Sequence, residues 1–128
     1  MVEQATRVLV VDDASLVRRY YREILERAGF EVEEALNGLE ALEKLLHRPV
    51  DLLIVDVNMP QMDGFTFLET LRCQDDDVAS TPALVTSTEC APEDFAAARN
   101  AGANFYIVKP VKGETLAALA RLICGMPP

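Results

Sequence analysis

The chain has one histidine, no tryptophan and three cysteines in its 128 residues. A His-rich metal centre or a Ser-His-Asp triad would have only His47 to build on. His47 stands beside Arg48-Pro49 at an expected helix end, where a solvated histidine that compensates the helix dipole is the default. Cys73, Cys90 and Cys124 are odd in number, far apart and without a Cys-x-x-Cys spacing, so they read as buried or idle thiols of a reducing compartment. No apolar run approaches the roughly 18 residues of a membrane span. Met1-Val2-Glu3-Gln4 lacks the basic-then-apolar start of a secretory signal. Positive charge is scarce: 12 Lys and Arg against 21 Asp and Glu leave −9. That balance argues against direct nucleic-acid binding or an anionic membrane as the main partner. The expected location is cytoplasmic, without membrane insertion.

Half the residues are hydrophobic and 26% are charged, too apolar a mix for a disordered chain. The length is that of one domain, expected over 1–128 with a core of about 7–124 and a tail at 125–128. A chain of this size buries roughly two-thirds of its unfolded surface and needs no disulfide or metal to hold a core. It leaves no room for a separate effector module.

Short apolar runs alternate with helical patterns. Val8-Leu9-Val10-Val11 and Leu52-Leu53-Ile54-Val55 are continuous, as in strands buried on both faces. Phe30 to Ala35 is a more polar strand, suited to an edge. Ala83-Leu84-Val85-Thr86 and Phe105-Tyr106-Ile107-Val108 complete five strands. Between them, Leu16, Val17, Tyr20, Ile24 and Ala28 stripe a first helix over 15–28 that Gly29 ends. Arg19/Glu23, Arg22/Glu26 and Glu23/Arg27 stand four apart on its other side. Leu39, Leu42, Leu45 and Leu46 stripe a second helix stopped by Pro49, and Phe65, Leu68 and Leu71 a third. Pro92-Glu93-Asp94 starts a fourth, Ala-rich helix that ends at Ala101-Gly102. Gly113 to Ile123 is the last. Asp75-Asp76-Asp77 reads as a solvated surface loop. Five β-α units without linker or repeat mean right-handed crossovers and a doubly wound α/β fold, a parallel sheet with helices on both faces. Ligands of such folds lie at the carboxyl ends of the strands.

Four of the five strand ends carry polar groups: Asp12-Asp13, Asp56, Thr86-Ser87-Thr88 and Lys109-Pro110. Each has an ordinary reading alone. Asp13 would cap the first helix, Ser87 and Thr88 would be loop residues, and Lys109 a surface lysine. Together they describe chemistry. Clustered carboxylates repel and need a counter-charge. Oxygen ligands without His or Cys suit Mg²⁺, and a lysine is the second cation. Carboxylate, divalent metal, lysine and hydroxyl make a phosphoryl-transfer site with a carboxylate as nucleophile.

On these residues the chain resembles the receiver domains of bacterial two-component response regulators, from about Arg7 to Cys124. The shared pattern is Val10-Val11-Asp12-Asp13, Asp56-Val57-Asn58-Met59-Pro60-Gln61-Met62-Asp63-Gly64, Val85-Thr86-Ser87-Thr88-Glu89, Ala101-Gly102-Ala103 and Lys109-Pro110. The resemblance implies a flavodoxin-like sheet in strand order 2-1-3-4-5. It implies that Asp56 accepts a phosphoryl group from a histidine kinase, a histidine phosphotransfer protein or a small phosphodonor. Asp12, Asp13, Asp56 and the Asn58 carbonyl would bind Mg²⁺, with Mn²⁺ as a substitute, and Asp12 would act mainly through water. Lys109 would meet the phosphoryl oxygens, joined by the Thr88 backbone, across a cis Lys109-Pro110 bond. Of the two adjoining hydroxyls Thr86 and Ser87, the spacing to Pro82 and Ala101-Gly102 fits Ser87 as the switch. Thr88 is bulkier than the usual residue there and would narrow access to Asp56. Tyr106 would turn inward when Ser87 moves, or else be a half-buried core aromatic with a wet hydroxyl.

The expected output is a remodelled face of fourth helix, fifth strand and fifth helix that a target protein reads, as a monomer or a phosphorylation-dependent dimer. Ala96, Ala97 and Ala98 bury little area each, as suits a helix that moves. Arg18, Arg19, Arg22 and Arg27 on the first helix are either a salt-bridged face or a docking site for an acidic kinase domain. Asn58 and Glu89 match chemotaxis-type receivers, so chemotaxis leads and another phosphorelay stays open. The chain would be a signalling protein that catalyses only its own phosphorylation and slow dephosphorylation. A receiver cut from a longer regulator with an output domain is the alternative. A haloacid-dehalogenase-type phosphatase is a further rival, but Asp56-Val57-Asn58 lacks that group's second acid. A phosphorylation-independent interaction module is the last.

Overall fold

The computed structural model describes residues 5–59 and 61–126. Pro60, the start 1–4 and Pro127-Pro128 of the expected tail lie outside the described residues. Five strands, β1 (Arg7–Val11), β2 (Glu31–Ala35), β3 (Leu52–Asp56), β4 (Ala83–Ser87) and β5 (Phe105–Val108), alternate with helices. These are α1 (Ser15–Arg27), α2 (Gly38–His47), α3 (Gly64–Arg72), α4 (Asp76–Ala79), α5 (Pro92–Ala101) and α6 (Gly113–Ile123). All strands pair in parallel, in the order β2-β1-β3-β4-β5. The two continuous apolar runs are the central strands β1 and β3, buried throughout, and the polar β2 is an edge.

Strand alternation builds two cores. Val8, Val10, Ile54 and Leu84 pack against Tyr21 and Leu25 of α1 and Leu116 and Ala120 of α6. Leu9, Val11, Leu53 and Val85 pack against α2, α3 and α5 through Leu45, Phe67, Leu68, Leu71 and Ala101. Helix phase differs from the sequence expectation in two places. On α1 the inward stripe is Val17, Tyr21, Ile24, Leu25 and Ala28, while Leu16 and Tyr20 are exposed. On α2 the small Gly38 and Ala41 face the sheet beside Leu45, which leaves Leu39 and Leu46 outward. The acid run Asp75-Asp76-Asp77 is not a plain loop: it opens the one-turn α4. The Asp75 carbonyl accepts the N–H groups of Val78 and Ala79 at 2.9 and 2.8 Å, and buried Val78 anchors the turn.

Two polar anchors hold the frame. Arg72 at the end of α3 donates to the carbonyls of Gly102, Ala79 and Thr81 and to Asn104 Oδ1, over 2.6–3.1 Å. It thereby joins the ends of α3, α4 and α5 to the start of β5, and its burial lowers its pKa. On the other face Glu34 of β2 takes Arg18 at 2.9 Å and Arg22 at 2.7 Å. Of the expected i,i+4 pairs on α1, Arg22–Glu26 forms, at 3.2 Å. Cys73 and Cys90 are exposed rather than buried, Cys124 is half-buried, and all three are free. Burial pushes the Cys124 thiol up to about 11. His47 is exposed at the end of α2, as expected. Among the described residues no helix is long and apolar enough to cross a membrane.

Candidate functional site

The β1, β3 and β5 ends converge at the carboxyl edge of the sheet. Asp12 follows β1, Asp56 closes β3 and Lys109 follows β5. Carboxylate oxygens of Asp12, Asp13 and Asp56 lie within 4.8 Å of one another. Asp12 and Asp56 are buried and Asp13 is exposed at the rim. Lys109 Nζ donates to Asp56 Oδ1 at 2.9 Å and to Asp12 Oδ2 at 3.4 Å. Asp13 does not cap α1. Asp12 Oδ1 accepts the Ala14 N–H at 2.9 Å instead, and the Asp12 carbonyl accepts from Arg18 at 2.7 Å. Both contacts fix the β1–α1 turn.

Three acids share one ammonium, and the electrostatics follow. Burial pushes the Asp56 carboxyl above its usual range. Lys109 opposes the shift, while the charges of Asp12 and Asp13 add to it. For Lys109 burial disfavours the charged form, but the bond to Asp56 and the charges of Asp12 and Asp56 outweigh it and raise its pKa. The set is all oxygen, short of positive charge and open to solvent at Asp13. These are the terms on which a Mg²⁺ ion fits, held by one or two carboxylates and keeping waters.

The backbone beneath Asp56 is tightly built. Gly64, the first residue of α3, donates its N–H to the Val57 carbonyl at 2.9 Å, and a Cβ there would collide with the Asp56 carbonyl. Any side chain at 64 would push the β3–α3 loop away from the carboxylates. Asn58 is exposed in that loop. The Lys109–Pro110 bond is cis.

β4 presents two hydroxyls in opposite senses. Thr86 pairs with Asp56 in the β3–β4 register and shares its face, that of Ile54 and Leu84. Its Oγ1 is buried and makes no hydrogen bond. Ser87 is also buried, and its Oγ accepts the Glu89 N–H at 3.1 Å. Thr88 is exposed beside Lys109 at the mouth of a groove. Tyr106 is half-buried. Its hydroxyl donates to the Glu89 carbonyl at 2.9 Å, and its ring meets Phe95 edge-on at 4.6 Å. The backbone of Glu89 is thus held by Ser87 at its N–H and by Tyr106 at its carbonyl.

One residue absent from the sequence expectation belongs here. Tyr21 of α1 is 3% exposed, and its phenol lies towards Thr86 and feels the charges of Lys109, Asp12 and Asp56. Burial pushes its pKa up, with Lys109 opposing. The signal was the phase of α1, since Tyr21 stands one turn after Val17 on the stripe that faces the sheet.

A model of the response regulator receiver domain matches residues 8–121. The chain belongs to the response regulator receiver domain family. Chemotaxis protein CheY4 of Vibrio cholerae superposes on this receiver with a TM-score of 0.88 at 38% identity, covering 94% of this chain and 99% of that one. The signal receiver domain of a signal transduction histidine kinase from Syntrophus aciditrophicus gives 0.87 at 31% identity, covering 94% and 91%. Among curated relatives, the transcriptional regulatory proteins PrrA of Mycobacterium leprae and Mycobacterium tuberculosis are each 40% identical over 118 residues, 91% of this chain and 49% of theirs. The chain therefore spans about half the length of the curated relatives it matches. The expected flavodoxin-like order and β-α alternation are those of the structure.

Proposed function

We propose that this receiver is a phosphorylation-controlled switch in which Asp56 accepts a phosphoryl group from a histidine kinase, a histidine phosphotransfer protein or a small phosphodonor. The observation that carries the reading is the Asp12–Asp13–Asp56 cluster with Lys109 bonded to Asp56 at 2.9 Å. Asp12, Asp13 and Asp56, with the Asn58 carbonyl, would hold Mg²⁺ or Mn²⁺. The bound ion supplies charge stabilisation at the transferring oxygens. Asp56 attacks phosphorus through a carboxylate oxygen, the donor's bond to phosphorus breaks, and an aspartyl phosphate remains. Lys109 then exchanges its contact with Asp56 for the phosphoryl oxygens, where its fixed charge opposes theirs. The Thr88 N–H is the expected further donor, and its side chain narrows the entrance.

The output follows from Glu89. A phosphoryl group on Asp56 offers strong acceptors to the Ser87 hydroxyl. Ser87 then leaves the Glu89 N–H, and the Tyr106 bond to the carbonyl of the same residue loosens. The surface of α5, β5 and α6 changes as a two-state shift that a target protein reads. Alternatively Tyr106 is only a core aromatic. The chain acts as a signalling protein rather than a metabolic enzyme, as a monomer or a phosphorylation-dependent dimer, in chemotaxis or another phosphorelay. Free cysteines accord with a cytoplasmic setting. The kinase would dock on α1 through exposed Arg19 and Arg27. Arg18 and Arg22 are spent on Glu34 and fit that role less well. Family membership leaves the phosphatase reading without support.

A second reading concerns output. The PrrA relatives are about twice as long, which favours a receiver read through an attached domain rather than by a separate target. The charge of −9 argues against direct DNA contact by the receiver itself. Acetyl phosphate with Mg²⁺ tests the first reading: uptake of one phosphoryl group, absent from Asp56→Asn, supports it, and no uptake overturns it.

A further inference from the structure

The chemistry assigned to Asp56 and Lys109 leaves one buried group without work. Thr86 Oγ1 is enclosed and unpaired, and burying a hydroxyl without a partner is costly where valine would fill the same space. Thr86 stands in register beside Asp56 on the face that also receives Asp12, Lys109 and the Tyr21 phenol. Two hydroxyls therefore lie together next to the charged pair, one at the end of a central strand and one on the buried stripe of α1.

Lys109 has a donor to spare. An ammonium carries three N–H groups; one meets Asp56 at 2.9 Å and a second reaches Asp12 only at 3.4 Å. The lysine also borders a groove of about 520 Å³ lined by Val17, Tyr20, Tyr21, Pro110 and Val111. A flexible four-carbon stem beside that much open space needs something to aim its head once it leaves Asp56. Tyr21 and Thr86 are suited to that. A buried tyrosine has two side-chain torsions and is locked by packing, and a β-branched threonine in a strand is stiff at χ1.

We propose that Tyr21 is a positioning residue for Lys109: its phenol oxygen, backed by the Thr86 hydroxyl and lining the same groove as the lysine, accepts an N–H of the ammonium once Lys109 leaves Asp56 for the phosphoryl oxygens, and fixes where it meets them. The proposal rests on the reading of Asp56 and Lys109 given above. It assigns the Thr86 hydroxyl a purpose distinct from that of Ser87. Thr86 supports the lysine, and Ser87 responds to the phosphoryl group.

The test uses Tyr21→Phe and Thr86→Val, which keep shape and remove one oxygen each, in the wild-type and the Lys109→Ala backgrounds. The phosphorylation rate with acetyl phosphate and the Mg²⁺ dissociation constant by calorimetry are measured for each. Tyr21→Phe is expected to slow phosphorylation about tenfold, the scale of a lost hydrogen bond to a charged group, and to leave Mg²⁺ affinity within about twofold. In Lys109→Ala it is expected to add nothing, because both changes act through one group. An unchanged rate, or an equal slowing in both backgrounds, overturns the proposal. The lysine ε-methylene signals in the Asp56→Ala background, where Lys109 is released from Asp56, give a second readout that needs no phosphorylation, and the chain has only Lys44, Lys109 and Lys112 to assign. There the Lys109 signal is expected to shift on Tyr21→Phe; an unmoved signal overturns the proposal. A wild-type chain that takes up no phosphoryl group overturns the reading of Asp56, and the lysine signals then still decide Tyr21.

Discussion

Replacing Asp56 with asparagine is expected to stabilise the metal-free chain. At an effective dielectric constant of about 40, the 2.9 Å contact with Lys109 favours the carboxylate by about 3 kcal/mol. Asp12 and Asp13, within 4.8 Å, each oppose it by about 1.7 kcal/mol. Attraction and repulsion nearly cancel. What remains is the cost of burying a carboxylate, about 1–2 kcal/mol at a site open on one side. The asparagine amide keeps an oxygen for Lys109 and escapes that cost, so the melting temperature of Asp56→Asn should rise by roughly 3–6 °C. The sign with pH follows from the raised Asp56 pKa. The contribution of a protonated Asp56 is fully present below its unfolded pKa and is lost as pH rises through the higher folded value. The advantage of Asp56→Asn should therefore be absent in acid and complete at neutral pH. Mg²⁺ should reverse the order: at about 100 times its dissociation constant it adds about 2.7 kcal/mol to the wild type and much less to the variant. Thermal melts across pH, with and without Mg²⁺, read all of this. A variant less stable than wild type in metal-free neutral buffer, or equally advantaged in acid, would refute the reasoning.

Other predictions concern the frame and the switch. Arg72→Met should cost about 2–4 kcal/mol in urea unfolding, because it strands three carbonyls and Asn104 at the junction of α3, α4 and α5. A loss under about 1 kcal/mol would mean that water replaces the guanidinium. Glu34→Gln should cost about 1 kcal/mol at neutral pH. Burial alone would raise the Glu34 pKa, but bonds from Arg22 and Arg18 outweigh it and lower the value. Its contribution is therefore present above the unfolded pKa and vanishes as pH falls through the folded one, so wild type and variant should converge in acid melts. Ser87→Ala should break the coupling between phosphorylation and the Tyr106 environment, read by NMR, while Thr86→Ala leaves it intact. The opposite result would move the switch to Thr86.

The strands were legible because Val8 to Val11 and Leu52 to Val55 are apolar without interruption, and the acids after them marked the carboxyl edge. The strand order came from the family pattern, since hydropathy carries no pairing information beyond the polar edge of β2. Helix phase was read poorly where leucine drew attention. Leu16, Leu39 and Leu46 are outward, and the sheet takes Tyr21, Gly38 and Ala41, residues that hydrophobicity alone underrates. Spacing along the helix pairs Arg22 with Glu26 and gives Arg18 no partner. Their main partner is Glu34 on β2, 16 and 12 residues away, a contact that i,i+4 counting does not contain. α4 escaped because a one-turn helix held by Val78 leaves no periodicity. In the site, the clustering of Asp12, Asp13, Asp56 and Lys109 was legible from strand ends, whereas Tyr21 was not, because its place depends on that helix phase.

The most direct test is intact-protein and peptide mass spectrometry after incubation with acetyl phosphate and Mg²⁺. The account predicts one added phosphoryl group per chain, labile to hydroxylamine, located on Asp56, and lost both in Asp56→Asn and when a chelator removes the metal. A phosphoryl group on any other residue, or uptake that ignores the chelator, would contradict it.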